Sequence, residues 1–415
     1  MLSNTESYLA TIAAPQALEA VFQMAVAHNL AFAAWRLPNQ EEFFACVSAA
    51  PVAVPEEFHL ESAPAGFIMH PFTVTEENKP YFLEADLLFQ GNFRENHLRF
   101  LSSSEKAVSG NFFGKLQEAL QQPDAPATWH SAAEPVFTAS KSVYEELVQN
   151  GIDFLKKGNA EKVVPSRCAQ VALSPHFRPV TGFFNLLKQY PHAFVSLVSA
   201  PETGTWLGAS PEILVVKDKK NIFRTMALAG TQKLAAGLSP ADAIWRQKEI
   251  EEQSMVVRYV ISCFKKIRLR EYVETGPRTV AAGNLLHLRS DFCVPLNEEE
   301  FPNLTSRMLH LLHPTSAVCG QPKEAALDFL NAHENYNRRY YSGYLGPVNV
   351  QHETAVYVNL RCLELRENSA ILYAGAGVTV DSDPTKEWQE TELKMQTVSA
   401  ALQLNTPLDD TATGY

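Results

Sequence analysis

The sequence predicts an α+β protein with large, mainly antiparallel sheets. Three observations lead there. Apolar and β-branched runs of strand length recur from Leu30 to Ala374. Helical periodicities interrupt them without the strict strand–helix–strand alternation of a parallel sheet. Finally, 46% of the 415 residues are hydrophobic and 20% are charged, an ordinary composition with enough apolar material for a large core.

Residues 14–29 carry a helical pattern, and 30–36 and 66–72 read as short strands. Residues 121–128, with two prolines, have linker composition. A helix is expected over 140–157, with Ser140 or Ser142 at its cap. The alternating, β-branched runs 162–173 and 193–198 predict strands. Residues 206–215 read as strand, turn, strand around Ser210-Pro211. Residues 239–267 are helical by pattern, with Ser239 as N-cap and Pro240 in the first turn. A further helix is expected over 322–335, strands over 355–365 and 370–374, and a last long helix from Pro384. The polar tail 405–415 is expected to fray.

The net charge of −11 argues against a nucleic-acid binder, which would carry a basic stripe. It also means that a small anionic substrate would need a locally positive or metal-bridged site. Six scattered cysteines contain no Cys-x-x-Cys pair, so zinc is not expected; they read as reduced thiols of a cytoplasmic protein. The N-terminus lacks the features of a secretory signal, and no apolar run is long enough to span a bilayer.

Two acidic pairs stand out: Glu249 with Glu252, and Glu387 with Glu390. At i,i+3 spacing each helix would present both carboxylates on one face. Alone, either pair describes a solvated helix surface. Two such helices brought together would hold a hard divalent cation against an anionic ligand.

Other blocks accompany the pairs. In order they are Lys162-Val-Val-Pro-Ser-Arg167, Gly208-Ala-Ser-Pro-Glu212, Leu228-Ala-Gly-Thr231, Lys248-Glu-x-x-Glu252, His287-Leu288 and His313-Pro-Thr-Ser-Ala-Val-Cys-Gly320. Glu334-x-x-x-Arg338-x-x-Tyr341-x-Gly343, Val358-Asn-Leu-Arg361, Gly375-Ala-Gly377 and Glu387-x-x-Glu390-x-x-x-Lys394 follow. Together, over about residues 160–400, this order resembles the chorismate-utilising enzymes: isochorismate and salicylate synthases and the large chains of anthranilate and aminodeoxychorismate synthases. The first third matches only loosely.

The resemblance implies helices packed outside the sheets, chorismate as substrate and magnesium (Mg2+) as cofactor. Residues 1–130 would then be an N-terminal portion of the same fold, 131–404 the chorismate-binding catalytic region, and 405–415 a flexible tail. Glu252 and Glu390 match direct magnesium ligands, and Glu249 and Glu387 the second carboxylate of each pair. Lys162 matches the base that activates water in the water-using members. Glu212 matches the acid that protonates the departing hydroxyl, which requires a raised pKa. Arg361 and Tyr341 would bind the pyruvyl group, with Gly375 and Gly377 letting the backbone approach it. Gly230, Thr231 and His287 would line the ring side, and Lys394 would contact a substrate carboxylate. Residues 313–320 read as structural, shaping the floor.

Two positions depart from the family pattern. Gln253 stands where many relatives have histidine, an exchange expected to keep a supporting hydrogen bond. Arg289 and Ser290 follow His287-Leu288, where relatives often have a small residue and then a hydroxyl residue.

The leading expectation is isochorismate synthase, feeding menaquinone or a catechol siderophore, as a monomer or weak homodimer. Lys162 favours water over ammonia as nucleophile. The nearest alternative is salicylate synthase, which adds pyruvate elimination. A non-catalytic ligand binder would be favoured had Lys162, Glu212 or the acidic pairs been broken. A carboxylate-bridged di-metal hydrolase would add histidine ligands, and no Glu-x-x-His accompanies these pairs.

Overall fold

Two nine-stranded antiparallel sheets lie face to face. The computed structural model describes residues 12–55, 58–121, 127–132, 137–234, 239–282, 285–296 and 300–404. In spatial order the first sheet is β7 (His97–Ser103), β6 (Leu87–Asn92), β2 (Glu42–Ser48), β1 (Ala31–Arg36), β10 (Phe194–Ala200), β11 (Gly204–Ser210), β19 (Cys362–Leu365), β20 (Ser369–Gly375) and β9 (Ser166–Ala172). The second is β14 (Val273–Ala282), β15 (Leu285–Pro295), β13 (Ile222–Lys233), β12 (Ile213–Lys217), β18 (Thr354–Val358), β17 (Tyr344–Val348), β4 (Gly66–His70), β5 (Tyr81–Glu84) and β3 (Val52–Ala53). A short ribbon pairs β16 (Gly320–Gln321) with β8 (Lys162–Val163).

Helices cover both outer faces. The first sheet carries α1 (Ala14–Ala27), with α2 (Glu105–Ser109) and α3 (Phe112–Leu120) beside it. It then meets α5 (Pro179–Gln189) and the second half of α9 (Pro384–Ala401). Over the second sheet lie α4 (Lys141–Lys156), α6 (Gln247–Lys266), α7 (Leu304–Leu312) and α8 (Lys323–His333). Among the described residues no helix is long and apolar enough to cross a membrane.

This layering explains the unbroken apolar strands. In β1 all six residues are buried. Phe32 and Ala34 meet the helix layer, while Ala31, Ala33 and Trp35 meet the opposite sheet. The sheets interlock through aromatic rings: Phe194 of β10 stacks on Tyr357 of β18 with centroids 4.2 Å apart, and Trp35 lies 5.3 Å from Phe67. The N-terminal strands hydrogen-bond into both sheets, β1 beside β10 and β4 beside β17.

The expected α+β fold is present, but three predicted elements are broken, two of them where the chain changes sheet. The run 162–173 splits at Pro165 into β8 and β9. The run 355–365 splits into β18 and β19, in different sheets, with Arg361 at the crossing and its φ in the left-handed region at 48°. Ser239 caps a single turn, Pro240–Asp242, through Ala241 N–H, and the long helix begins only at Gln247. The predicted helix 140–157 is α4, capped by Ser140, whose Oγ accepts from Val143 N–H. Residues 122–126 of the expected linker and the whole tail 405–415 lie outside the described residues.

Candidate active site

The functional residues collect where the chain crosses between sheets. Glu212 sits between β11 and β12, Arg361 between β18 and β19, and Gly375 and Gly377 where β20 leads towards α9. They face one cavity. Its walls include Val164, Glu212, Gly230, Thr231, Glu252, His287, Tyr341, Arg361, Gly375, Gly377, Glu390 and Lys394. Of the fourteen predicted site residues these make up eleven; Lys162, Glu249 and Glu387 stand behind the wall or beside it, and only Lys162 and Glu387 of those three reach the cavity's charged residues.

The carboxylates on the α6–α9 side come with lysines. Lys162 Nζ, on a residue 1% exposed, donates to Glu252 Oε1 at 2.6 Å. Lys248 of α6 reaches across to Glu387 Oε1 on α9 at 2.8 Å. Lys394 donates to Glu390 Oε1 and to Gly375 O, both at 2.7 Å. The i,i+3 and i,i+4 spacings on α9 place these groups on one face. Burial pushes the Glu252 carboxyl up, but the Lys162 ammonium outweighs it and holds that carboxyl below its ordinary value. For Glu387, burial and then the nearby Glu390 charge outweigh Lys248, and its pKa is raised.

Glu249 takes a different place. Its Oε2 accepts from the Arg246 N–H at 3.0 Å, capping the first turn of α6. Among the described residues no group of three or more His, Cys, Asp or Glu side chains is arranged as a ready-made metal cage. Magnesium needs little of that kind: it keeps waters and takes few carboxylates plus substrate oxygens. Glu252 and Glu390 are hard oxygen donors on the cavity wall, each paired with a lysine. That donor set fits a magnesium ion.

Gly377 is fitted to this corner. A methyl group there would lie 2.8 Å from both Glu252 Oε1 and Lys162 Cε. At Gly375 it would crowd Pro165 O at 3.0 Å and the Tyr341 hydroxyl at 3.3 Å.

Glu212 lies in different surroundings. It is 4% exposed and has no ion pair among the described residues. Burial raises its carboxyl to about 7, against the weaker pull of the Thr315 hydroxyl and of the Lys162, Lys394 and Arg361 charges. Its backbone is pinned as the chain changes sheet: N–H to Ser210 Oγ at 3.4 Å, and C=O from Val358 N–H at 3.0 Å.

On the remaining wall, a register shift in β13 leaves Gly230 with φ 63°, and its carbonyl accepts from His287 Nδ1–H at 2.9 Å. Burial and then the Arg361 charge depress the imidazole to about 3, so the ring is neutral. Arg361 Nη2 donates to His287 Nε2 at 3.4 Å, and no carboxylate among the described residues forms an ion pair with this guanidinium. Thr231 Oγ1 lies 3.4 Å from His287 Nδ1. Tyr341 stacks on Tyr373 at 5.3 Å, and burial raises its phenol to about 12, keeping it a donor.

Three features escaped the sequence reading. Thr315, in the segment read as floor, donates to Glu212 Oε1 at 3.2 Å. Lys248 ties α6 to α9. Arg338, paired with Glu334, donates to Val164 O at 2.7 Å and Val318 O at 2.8 Å, tying together two cavity walls. Glu334 also accepts from Ser166 N–H at 2.7 Å. The Glu-x-x-x-Arg spacing of that block was the only available signal.

The two departures are accommodated. Gln253 is buried, and its Nε2 donates to Ala227 O and Ser290 Oγ, each at 3.2 Å. It braces α6 against β13 and β15. Arg289 pairs with Asp291 at 2.6 Å and is not part of the cavity wall.

Fold and site together define a chorismate-utilising enzyme, and the chain belongs to the chorismate binding enzyme family, whose model matches residues 17–403. Among its relatives, the vibriobactin-specific isochorismate synthase of Vibrio cholerae serotype O1 is 28% identical over 280 residues, covering 66% of this chain and 70% of that one. The salicylate biosynthesis isochorismate synthase of Pseudomonas aeruginosa is 28% identical over 366 residues, covering 83% and 75%. The solved structure of MenF, the menaquinone-specific isochorismate synthase from Escherichia coli, superposes with a TM-score of 0.71 at 20% identity, over 92% of this chain and 91% of that chain.

Proposed function

We propose that this chain is an isochorismate synthase, converting chorismate to isochorismate with magnesium. Water adds at C2, the ring double bonds shift, and the C4 hydroxyl leaves as water. The observation that carries this reading is the pairing of two unlike groups around one cavity. Glu212 is a buried carboxyl raised to about 7, able to hold a proton near neutrality. Lys162 is a buried amine reaching the cavity corner at Gly377.

Lys162 acts as the neutral amine and takes the proton of the attacking water at Nζ, and Glu212 gives its proton to the departing C4 oxygen. Arg361, which has no carboxylate partner among the described residues, receives the pyruvyl carboxylate by a two-pronged guanidinium contact, with the Tyr341 hydroxyl beside it. Lys394 and the neutral His287 line the remainder of the cavity. Magnesium would be held by Glu252 and Glu390, with Glu387 behind them, and would supply positive charge against the ring carboxylate. Glu249 supports the start of α6.

Incubation with chorismate and magnesium, followed by chromatography and mass spectrometry, tests the reading. Isochorismate alone supports it. Salicylate with pyruvate moves the protein to the salicylate-forming reaction, and a product that forms only with ammonia refutes water as nucleophile.

A further inference from the structure

We propose that Thr315 is the positioning residue for the acid: its hydroxyl occupies one oxygen of Glu212 and thereby fixes the proton on the other, facing the substrate. This rests on the isochorismate synthase reading. Thr315 Oγ1 donates to Glu212 Oε1 at 3.2 Å. Oε2 has no hydrogen-bond partner among the described residues, and Glu212 lines the cavity. An oxygen that accepts a hydroxyl proton cannot at that moment donate one along the same line. The transferable proton is therefore carried by Oε2.

The anchor itself is rigid. Thr315 is 7% exposed. Its carbonyl accepts from Val318 N–H at 3.1 Å and Cys319 N–H at 3.0 Å, closing a tight turn. Arg338, braced by Glu334, holds that turn through Val318 O. Glu212 is fixed from the opposite direction by Ser210 and Val358. Carboxyl and hydroxyl are thus held by separate frames, and the bond between them sets the rotation of the carboxyl plane. Without it the carboxyl can turn, and either oxygen can carry the proton away from the leaving group.

The charged groups acting on Glu212 are Lys162 from β8, Arg361 from the β18–β19 crossing and Lys394 from α9. All three survive a change at position 315. The hydroxyl favours the ionised carboxylate, so its removal moves the titration of Glu212 upward.

The test compares wild type, Thr315→Val and Thr315→Ser in kcat and KM for chorismate across pH. Valine keeps the shape and removes the donor; serine keeps the donor. Thr315→Val is expected to lose roughly ten-fold in kcat at its plateau, with KM within about two-fold, and to move the alkaline limb of kcat to higher pH. Thr315→Ser is expected to restore both. Thermal unfolding of each variant separates loss of fold from loss of positioning. A valine variant with wild-type kcat and an unmoved limb overturns the proposal, as does a serine variant as impaired as valine at equal stability. Absence of isochorismate from the wild type overturns the functional reading itself and is told apart at that first step.

Discussion

The two sides of the cavity treat carboxylates in opposite ways. On the α6–α9 side Glu252, Glu387 and Glu390 each meet a lysine ammonium at 2.6–2.8 Å. On the sheet-crossing side Glu212 meets a hydroxyl and, among the described residues, no ammonium within hydrogen-bonding distance. Between Glu252 and Glu212 the partners make the difference, whereas at Glu387 burial and the Glu390 charge outweigh Lys248. Lys162 overcomes burial and keeps Glu252 ionised, whereas the threonine hydroxyl and more distant cations leave Glu212 at about 7. In the proposed mechanism this separates a carboxylate that binds charge from one that donates a proton, within the same pocket.

The strongest way to break this comparison is to remove the acid or the base. Glu212→Gln and Lys162→Ala are each expected to lower turnover by about 10²–10⁴-fold with the fold retained, measured by product chromatography and circular dichroism. Near-normal turnover in either would end the acid–base assignment. Next in size is Gly377→Ala, whose methyl group would press on Lys162 and Glu252. About a hundred-fold loss of kcat/KM is expected from misplacing them.

Glu252→Gln and Glu390→Gln sharpen the metal side. Each is expected to weaken magnesium binding by about ten-fold or more in calorimetric titration. Glu249→Gln, which touches only a helix cap, should leave magnesium binding within about two-fold and lower Tm by less than about 2 °C. Equal loss from Glu249→Gln would show that its carboxylate does join the metal.

The smallest effect is a pH dependence in the wild type. In the proposed mechanism Glu212 acts in its protonated form, and burial raises its carboxyl to about 7. The limb that Glu212 contributes to kcat should therefore fall, by up to ten-fold per unit, as pH rises through that value. A profile that instead rises through 7 would assign the limb to a base.

Much of the architecture was legible because both faces of most strands are covered. Runs such as Ala31–Arg36 therefore read as continuous apolar segments. The long ribbon β13–β14–β15 was not read as strands. Its edge strand β14 is largely exposed, carries Gly276 and Pro277, and shows no alternation. The sheet crossings at 211–212 and 359–361 were also hidden. A short break in an apolar run looks the same whether the chain bends or changes sheet, yet those breaks place Glu212 and Arg361.

The site residues were named through the resemblance and through spacing on two helices. The partners that set their chemistry were not. Thr315 meets Glu212 across 103 positions, and Lys248 meets Glu387 across 139. No local pattern encodes such contacts. Glu249 shows the converse: its spacing is right, but its place in the first turn gives its carboxylate to the helix end.

In the proposed mechanism Lys162 delivers water to the ring while Glu212 releases the old hydroxyl. Turnover of chorismate in water enriched in oxygen-18 tests it most directly. The account predicts isochorismate carrying one heavy oxygen, in the new C2 hydroxyl. Isochorismate with no label would contradict it, because the original hydroxyl would then have migrated without ever leaving.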